Sequence, residues 1–299
     1  MIQVARMERS DVDAGAEILF DAFGAVYRQR GHVPPFPTRD SAAWLCRAYL
    51  DLDPEGCIVA WSRNEAVGVG FAHPRGVVTS IGPLAARPGA PAGVARALMA
   101  EIGRVAAQSS SLRLFQDSFN PDSFGLYARL GYAVADVAPY LLAEKLIPPA
   151  AAPSGVRALR PDDLPALERY DRARTVADRR RDLALLASTG SGLVATGQPG
   201  HAGKVGEISG YLFYRPLPAR VVIGPGVAES ADTMADLVDG VAVALPGRAA
   251  VIRASAAAPS VLLRSFARGF RVDHLGNLMV AGPYVPPPAQ LYALFPESL

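Results

Sequence analysis

Apolar residues along this chain follow two rhythms, one near 3.6 residues and one of 2, and the rhythm switches at turn-forming residues. The helical rhythm predicts helices over 11–28 and 40–50, each opened by an acidic residue suited to a helix start. Strand-like runs follow at 57–61 and 67–73, joined by a tight turn at 63–65. A further strand is predicted at 77–84. The segment 93–107 then sets Val94, Leu98, Ile102 and Val105 on one helical face. After it come a strand at 112–115, a helix at 121–130, and strands at 132–136 and 140–145. Strands and helices mixed in this order predict a layered α/β or α+β fold.

The pattern then starts again. VARMERSDVDAGAEI from Val4 has a counterpart in VRALRPDDLPALERY from Val156. IGPLAARPGAP from Ile81 is matched by IGPGVAESAD from Ile223, and LYARLGYAVAD from Leu126 by LRSFARGFRVD from Leu263. A repeat this long predicts two halves with one fold. The proline-rich stretch IPPAAAPS at 147–154 reads as a stiff linker, which places the domains at 1–147 and 155–299. In the second half a helix is expected after the 224–234 turn, with Met234, Leu237, Val238 and Val241 on its buried face. The glycines of 196–207 suggest a hairpin tip, with His201 solvated in it. Three prolines at 286–288, then Leu291 and Tyr292, suggest a stiff tail strand that docks a small apolar anchor.

Composition narrows the function. A chain of 299 residues suits two domains. With 50% apolar and 19% charged residues it is globular rather than disordered. A net charge of +2 argues against a nucleic-acid partner. Lysine occurs only at Lys145 and Lys204, an arginine bias that fits a GC-rich bacterial genome. Cys46 and Cys57 have no metal-ligand spacing, so no metal and no disulfide framework are expected. No signal segment and no apolar run near the roughly 20 residues of a membrane span are present, which leads to a cytoplasmic expectation without membrane contact.

Candidate chemistry gathers in 81–136. The turn Gly89-Ala90-Pro91-Ala92-Gly93-Val94-Ala95 leads from a strand into a helix. Such a turn presents free N–H groups and a helix dipole to an anion. Arg87 and Arg96 stand close in sequence. The same turn is also a plain strand-to-helix connection. Asn120 fits a helix N-cap with Pro121 behind it, and Gly131 fits the left-handed residue that ends that helix.

The order and spacing of these elements resemble the GCN5-related N-acetyltransferase (GNAT) superfamily in tandem arrangement, most specifically over 77–136. The resemblance implies two tandem acyl-CoA N-acyltransferase domains, each a splayed mixed sheet flanked by helices. Acetyl-CoA would lie in the splay and its acetyl group would pass directly to an amine. The family's turn reads Gln or Arg, two residues, Gly, one residue, then Gly or Ala. Gly93 and Ala95 match it; Ala90 departs from it, and Pro91 lacks an N–H. The implied cofactor contacts are Ile81, Gly82, Leu84, Arg87, Ala92, Gly93, Val94, Ala95, Arg96, Asn120 and Tyr127. Tyr127 lies seven residues after Asn120 and four before Gly131, where the family places the acid that protonates the departing thiolate. The alternative reading of Tyr127 is a core aromatic on the helix face with Phe124 and Leu130.

Many relatives carry a glutamate base on the strand before the turn. Here that strand is Val77-Val78-Thr79-Ser80-Ile81, without a carboxylate. His73, His32, Asp117 and a water relay remain open as routes for the amine proton. Tyr27, Phe36 and Trp44, with His73, are candidates for an acceptor pocket and equally for core. A small-molecule amine is the expected acceptor, a protein amine is possible, and a homodimer is left open. In the second half Ser265 replaces the tyrosine and Ala258 the asparagine, while Glu229, Asp232 and Asp236 crowd the turn. That half is expected to be a degenerate copy. The competing expectation is a non-catalytic protein that binds acyl-CoA or another small ligand.

Overall fold

The computed structural model describes residues 1–197 and 206–292. The segment carrying His201 lies outside the described residues. Contacts divide the chain into two units. The first is Met1–Ala133 with Met279–Pro283; the second is Val134–Leu278 with residues 284–292.

The first unit runs β1 (Gln3–Arg6), α1 (Val12–Gln29), α2 (Arg39–Leu52), β2 (Cys57–Ser62), β3 (Glu65–Arg75), β4 (Val78–Ala86), α3 (Val94–Val105), β5 (Ser111–Asp117) and α4 (Pro121–Arg129). The sheet order is β1-β2-β3-β4-β5, antiparallel except for the parallel pair β4 and β5. Arg63 and Asn64 have φ of 53° and 64° and turn β2 into β3 in two residues, as a left-handed hairpin turn requires. β2 and β3 are apolar almost throughout because helices cover both faces. One face packs Ile18, Leu19, Leu45 and Cys46 of α1 and α2 on Val59, Val69 and Phe71. The other packs Leu98 and Ile102 of α3 on Ile58, Val67 and Leu114. Gly68 is what lets α3 approach: a Cβ there would stand 2.5 Å from Val94 Cγ1.

The second unit holds β6 (Ala133–Ala143), β7 (Val156–Ala158), α5 (Leu164–Thr175), α6 (Arg180–Thr189), β8 (Ser191–Thr196), β9 (Ile208–Pro216), β10 (Val221–Ala228), α7 (Ala231–Ala244), β11 (Ala250–Arg253), α8 (Pro259–Ala267), β12 (Phe270–Ala281) and β13 (Ala289–Leu291). Its order is β12-β6-β11-β10-β9-β8-β7, with β13 paired to β10. From β7 to β12 the elements repeat those from β1 to β6 in order. The expected buried face of α7 is present, with Met234, Leu237, Val238 and Val241 all inside.

One sequence expectation is corrected. Residues 132–136 and 140–145 are one strand, β6, not two. Pro139 breaks the alternation that marks a strand, and only the later part of β6 is buried. By contacts the first unit runs to Ala133 and the second starts at Val134. The cause is a strand exchange. β6 pairs with β11, Leu142 opposite Val251, and puts Leu141 and Ala143 into the second core. The end of β12 completes the first unit, where it neighbours β5 and adds Met279 to the core. No helix among the described residues is long and apolar enough to cross a membrane.

Candidate active site

β4 and β5 begin as partners and then part. Val78, Thr79, Ser80 and Ile81 pair with Ser111, Leu112, Arg113 and Leu114. Beyond Ile81, β4 bulges at Gly82 and Pro83 and goes on pairing with β3 as far as Ala86. Gly82, with φ of 141°, takes a backbone conformation that suits glycine. Among the described residues no strand pairs with 82–86 on the β5 side. This edge, which includes Gly82 and Leu84, therefore presents main-chain polar groups to whatever enters the splay, apart from the Gly82 carbonyl, which meets His73.

The splay leads to the start of α3. Gly93 caps the helix in a left-handed conformation, φ 96°, and supplies no side-chain acceptor. A helix leaves its first N–H groups without intrahelical partners, so those of Val94, Ala95 and Arg96 point outward. Beside them is a cavity of about 370 Å³ lined by Ala92, Gly93, Ala95, Arg96 and Leu126. Val94 is buried against the sheet and fixes the turn from below. Arg96 is exposed and makes no ion pair among the described residues. Arg87 is different: it donates to Glu17 Oε2 at 3.2 Å and to the Ala66 carbonyl at 3.3 Å, so its charge is already partnered. Leu126, on α4, was missed in the sequence, where it reads as an ordinary apolar helix residue.

α4 starts and stops as expected. The Asn120 side chain accepts from the Ser123 N–H at 3.2 Å, and Gln116 Nε2 donates to the Asn120 carbonyl at 2.8 Å. Gly131 has φ of 88°, and the Tyr132 N–H returns to the Tyr127 carbonyl. Tyr127 is 7% exposed and packs in the core beneath α3, with the Tyr132 ring 6.1 Å away. Its hydroxyl has no hydrogen-bond partner among the described residues. Burial, then the nearby Tyr132 and Asp117, push the Tyr127 phenol well above its ordinary pKa, so it stays protonated.

The expected acceptor residues are only partly brought together. Tyr27 donates to Asp117 Oδ2 at 2.6 Å, at the end of β5. Phe119, not singled out in the sequence, meets Tyr27 edge-on at 5.0 Å and His32 face-on at 4.7 Å. Phe36 is buried against Phe23 and belongs to the core. Trp44, on α2, is exposed. His73 is fully buried: Nδ1 lies 2.7 Å from Asp53 Oδ2 and Nε2 lies 3.2 Å from the Gly82 carbonyl. Buried and with a protein partner at each ring nitrogen, His73 is packed away from any incoming amine. Arg75 also donates to both Asp53 oxygens, at 2.8 and 2.7 Å. This Asp53–His73–Arg75 group was not legible in the sequence, because Asp53 follows α2 and meets the two β3 residues only in the fold. Burial favours a protonated Asp53, but the hydrogen bonds from His73 and Arg75 outweigh it and hold the pKa at about 2. Cys46 and Cys57 are fully buried, and burial pushes Cys46 up to about 12. Neither thiol is a nucleophile.

No protein-family model matches the chain, and no curated protein matches it. Solved structures do. A Pyrococcus horikoshii protein provisionally described as an acetyltransferase superposes with a TM-score of 0.74 at 17% identity, over 97% of this chain and 92% of its own. A GCN5-related N-acetyltransferase from Sphaerobacter thermophilus gives 0.65 at 16%, over 95% and 97%. A tandem GNAT protein from the clavulanic acid biosynthesis pathway gives 0.63 at 14%, over 95% of this chain and 100% of its own. The fold is that of a tandem GCN5-related N-acetyltransferase. At these identities the likeness is one of fold.

The second unit keeps the frame of the first but not its side chains. Ser265, in the place of Tyr127, is fully buried and donates to the Val261 carbonyl of its own helix at 2.7 Å. Ala258, in the place of Asn120, gives α8 no side-chain cap. α7 has a cap of its own, Ser230, which accepts from the Thr233 N–H at 3.1 Å. Arg264 is paired with Asp236 and Asp239.

Proposed function

We propose that this chain is an acetyl-CoA-dependent N-acetyltransferase working in its first unit, with a small-molecule amine as acceptor. One observation carries the reading: an unpaired strand edge, an uncapped helix start beside a cavity, and a buried protonated phenol all belong to the first unit. Their counterparts in the second unit are capped or replaced.

Acetyl-CoA, when bound, supplies an acyl group already activated as a thioester. The chain's own part is mainly placement. The first-turn N–H groups of α3 and the Arg96 guanidinium would hold the pyrophosphate. The edge at 82–86 would hydrogen-bond the extended arm, and an N–H between Ile81 and Leu84 would polarise the thioester carbonyl. Tyr127 would face the sulfur as the C–S bond breaks. Asp117, already gripped by Tyr27, is the carboxylate best placed to hold an ammonium and take its proton. Transfer would be direct, since neither cysteine is available as an acyl carrier.

Calorimetric titration of the full chain with acetyl-CoA tests this reading. One site per chain is expected, abolished by Gly93→Val, because a β-branched residue does not tolerate φ near 96°. No binding at millimolar acetyl-CoA would end it. A second reading, an acyl-CoA-binding protein without turnover, is favoured by one feature: Pro91 removes an N–H from the phosphate turn. In that case Tyr127→Phe would change nothing measurable with any amine.

A further inference from the structure

Among the described residues, β13 is the strand of the second unit that the first unit does not repeat. Its position explains it. β10 and β11 start as parallel partners, with Val221, Val222 and Ile223 beside Ala250, Val251 and Ile252. β10 then bulges at Gly224 and Pro225, as β4 does at Gly82 and Pro83. In the first unit the edge beyond the bulge has no strand partner among the described residues. In the second, Gly226, Val227 and Ala228 pair antiparallel with Leu291, Gln290 and Ala289. The other side of the tail is tied as well: Leu291 bridges to Ala254, and the Tyr292 N–H donates to the Arg253 carbonyl at 2.9 Å. The tail thus bonds to both walls of the splay.

The fit is close. Ala289, Leu291 and Tyr292 are buried, and Leu291 enters the core with Ala258, Val261 and Phe270. A Cβ on Gly224 would stand 2.5 Å from the Tyr292 carbonyl oxygen, so the tail rests on the bare α-carbon of the bulge. The Tyr292 hydroxyl donates to Asp136. Gln290 donates to the Tyr284 hydroxyl at 2.9 Å. Pro286, Pro287 and Pro288 keep the approach extended at little entropic cost.

We propose that the splay of the second unit is a strand-binding slot whose resident ligand is the chain's own segment 289–292, and that this segment shuts the unit to acyl-CoA. Occupation of the slot stands on the geometry alone. The resulting stoichiometry of one acyl-CoA per chain rests on the reading of the first unit given above.

Amide hydrogen exchange on the full-length protein, with and without millimolar acetyl-CoA, tests it. The amides of 226–228 that face β13 should exchange slowly, and acetyl-CoA should leave them unchanged while one equivalent binds. In full-length Leu291→Glu they should exchange at least 100-fold faster. A synthetic peptide of sequence 285–292, VPPPAQLY, should slow them again. Should that variant fail to fold, Tyr292→Ala, which removes only the last anchor, takes its place. Fast exchange of these amides in the unaltered protein would overturn the proposal, and that measurement needs no variant. So would two acetyl-CoA molecules per chain, or a folded variant that the peptide does not protect. Slow exchange with no acetyl-CoA bound would sink the acetyltransferase reading and leave the slot assignment standing.

Discussion

At Tyr127 the proton arithmetic restricts the mechanism. A free thiol titrates near roughly 8.5 and a phenol near about 10, and burial moves this phenol further up. Full transfer to a departed thiolate would run uphill. In the proposed reaction Tyr127 would therefore act as a hydrogen-bond donor to sulfur while charge is still building. Tyr127→Phe should lower kcat roughly 100-fold and leave the acetyl-CoA dissociation constant within about twofold. Steady-state kinetics at saturating acceptor, set beside calorimetry, measure the split. Asp53 gives a second test at this scale. Its folded pKa, about 2, lies below its ordinary 3.8. The stability it contributes is therefore complete above about pH 4 and is lost as pH falls towards 2, an effect of about 2 kcal/mol. Asp53→Asn should lower the urea midpoint at pH 6 and flatten its dependence between pH 5 and 2. An unchanged acid slope would mean that Asp53 is not the group responsible.

The helix starts differ in how they treat their free N–H groups. α2 and α7 are capped by Thr38 and Ser230, whereas α3 is not capped by any side chain. A helix end left this way is stabilised by an anion or by water. Arg96→Gln should then weaken acetyl-CoA about five- to tenfold at low ionic strength, the loss shrinking in salt because the side chain is exposed. Arg87→Gln should do far less, since Glu17 already holds Arg87. Titrations at two salt concentrations distinguish the two arginines. Caps and turns of this kind were the legible part of the sequence. Asn120 and Gly131 act within a few residues of themselves, and the face of α3 follows from spacing alone. The acceptor side was not legible. Phe36, Trp44 and Tyr27 look alike as apolar aromatics on helices or in loops, and only packing sends one inward, one outward and one to Asp117.

The internal repeat predicted twin folds, and the same order of elements recurs in both units. What the repeat concealed is which core each final strand joins. β6 is apolar in its later part, and that says it is buried without saying against what. Because β6 belongs to the second unit and 279–283 to the first, a cut at the linker leaves each half short of a strand. Halves 1–147 and 155–299 made separately should be oligomeric or insoluble, with β5 and β11 as open edges. A monomeric, folded half in analytical ultracentrifugation would contradict this.

The strand exchange also sets the order of events during synthesis. The residues of β5 leave the ribosome long before Met279, which belongs beside them. At about 5–20 residues per second, the intervening stretch takes on the order of ten to thirty seconds to make. The first unit is begun first and cannot be finished first. For that interval a nascent chain carries its proposed catalytic unit with one sheet edge uncovered, at the stage when a chaperone or a neighbouring nascent chain would find it.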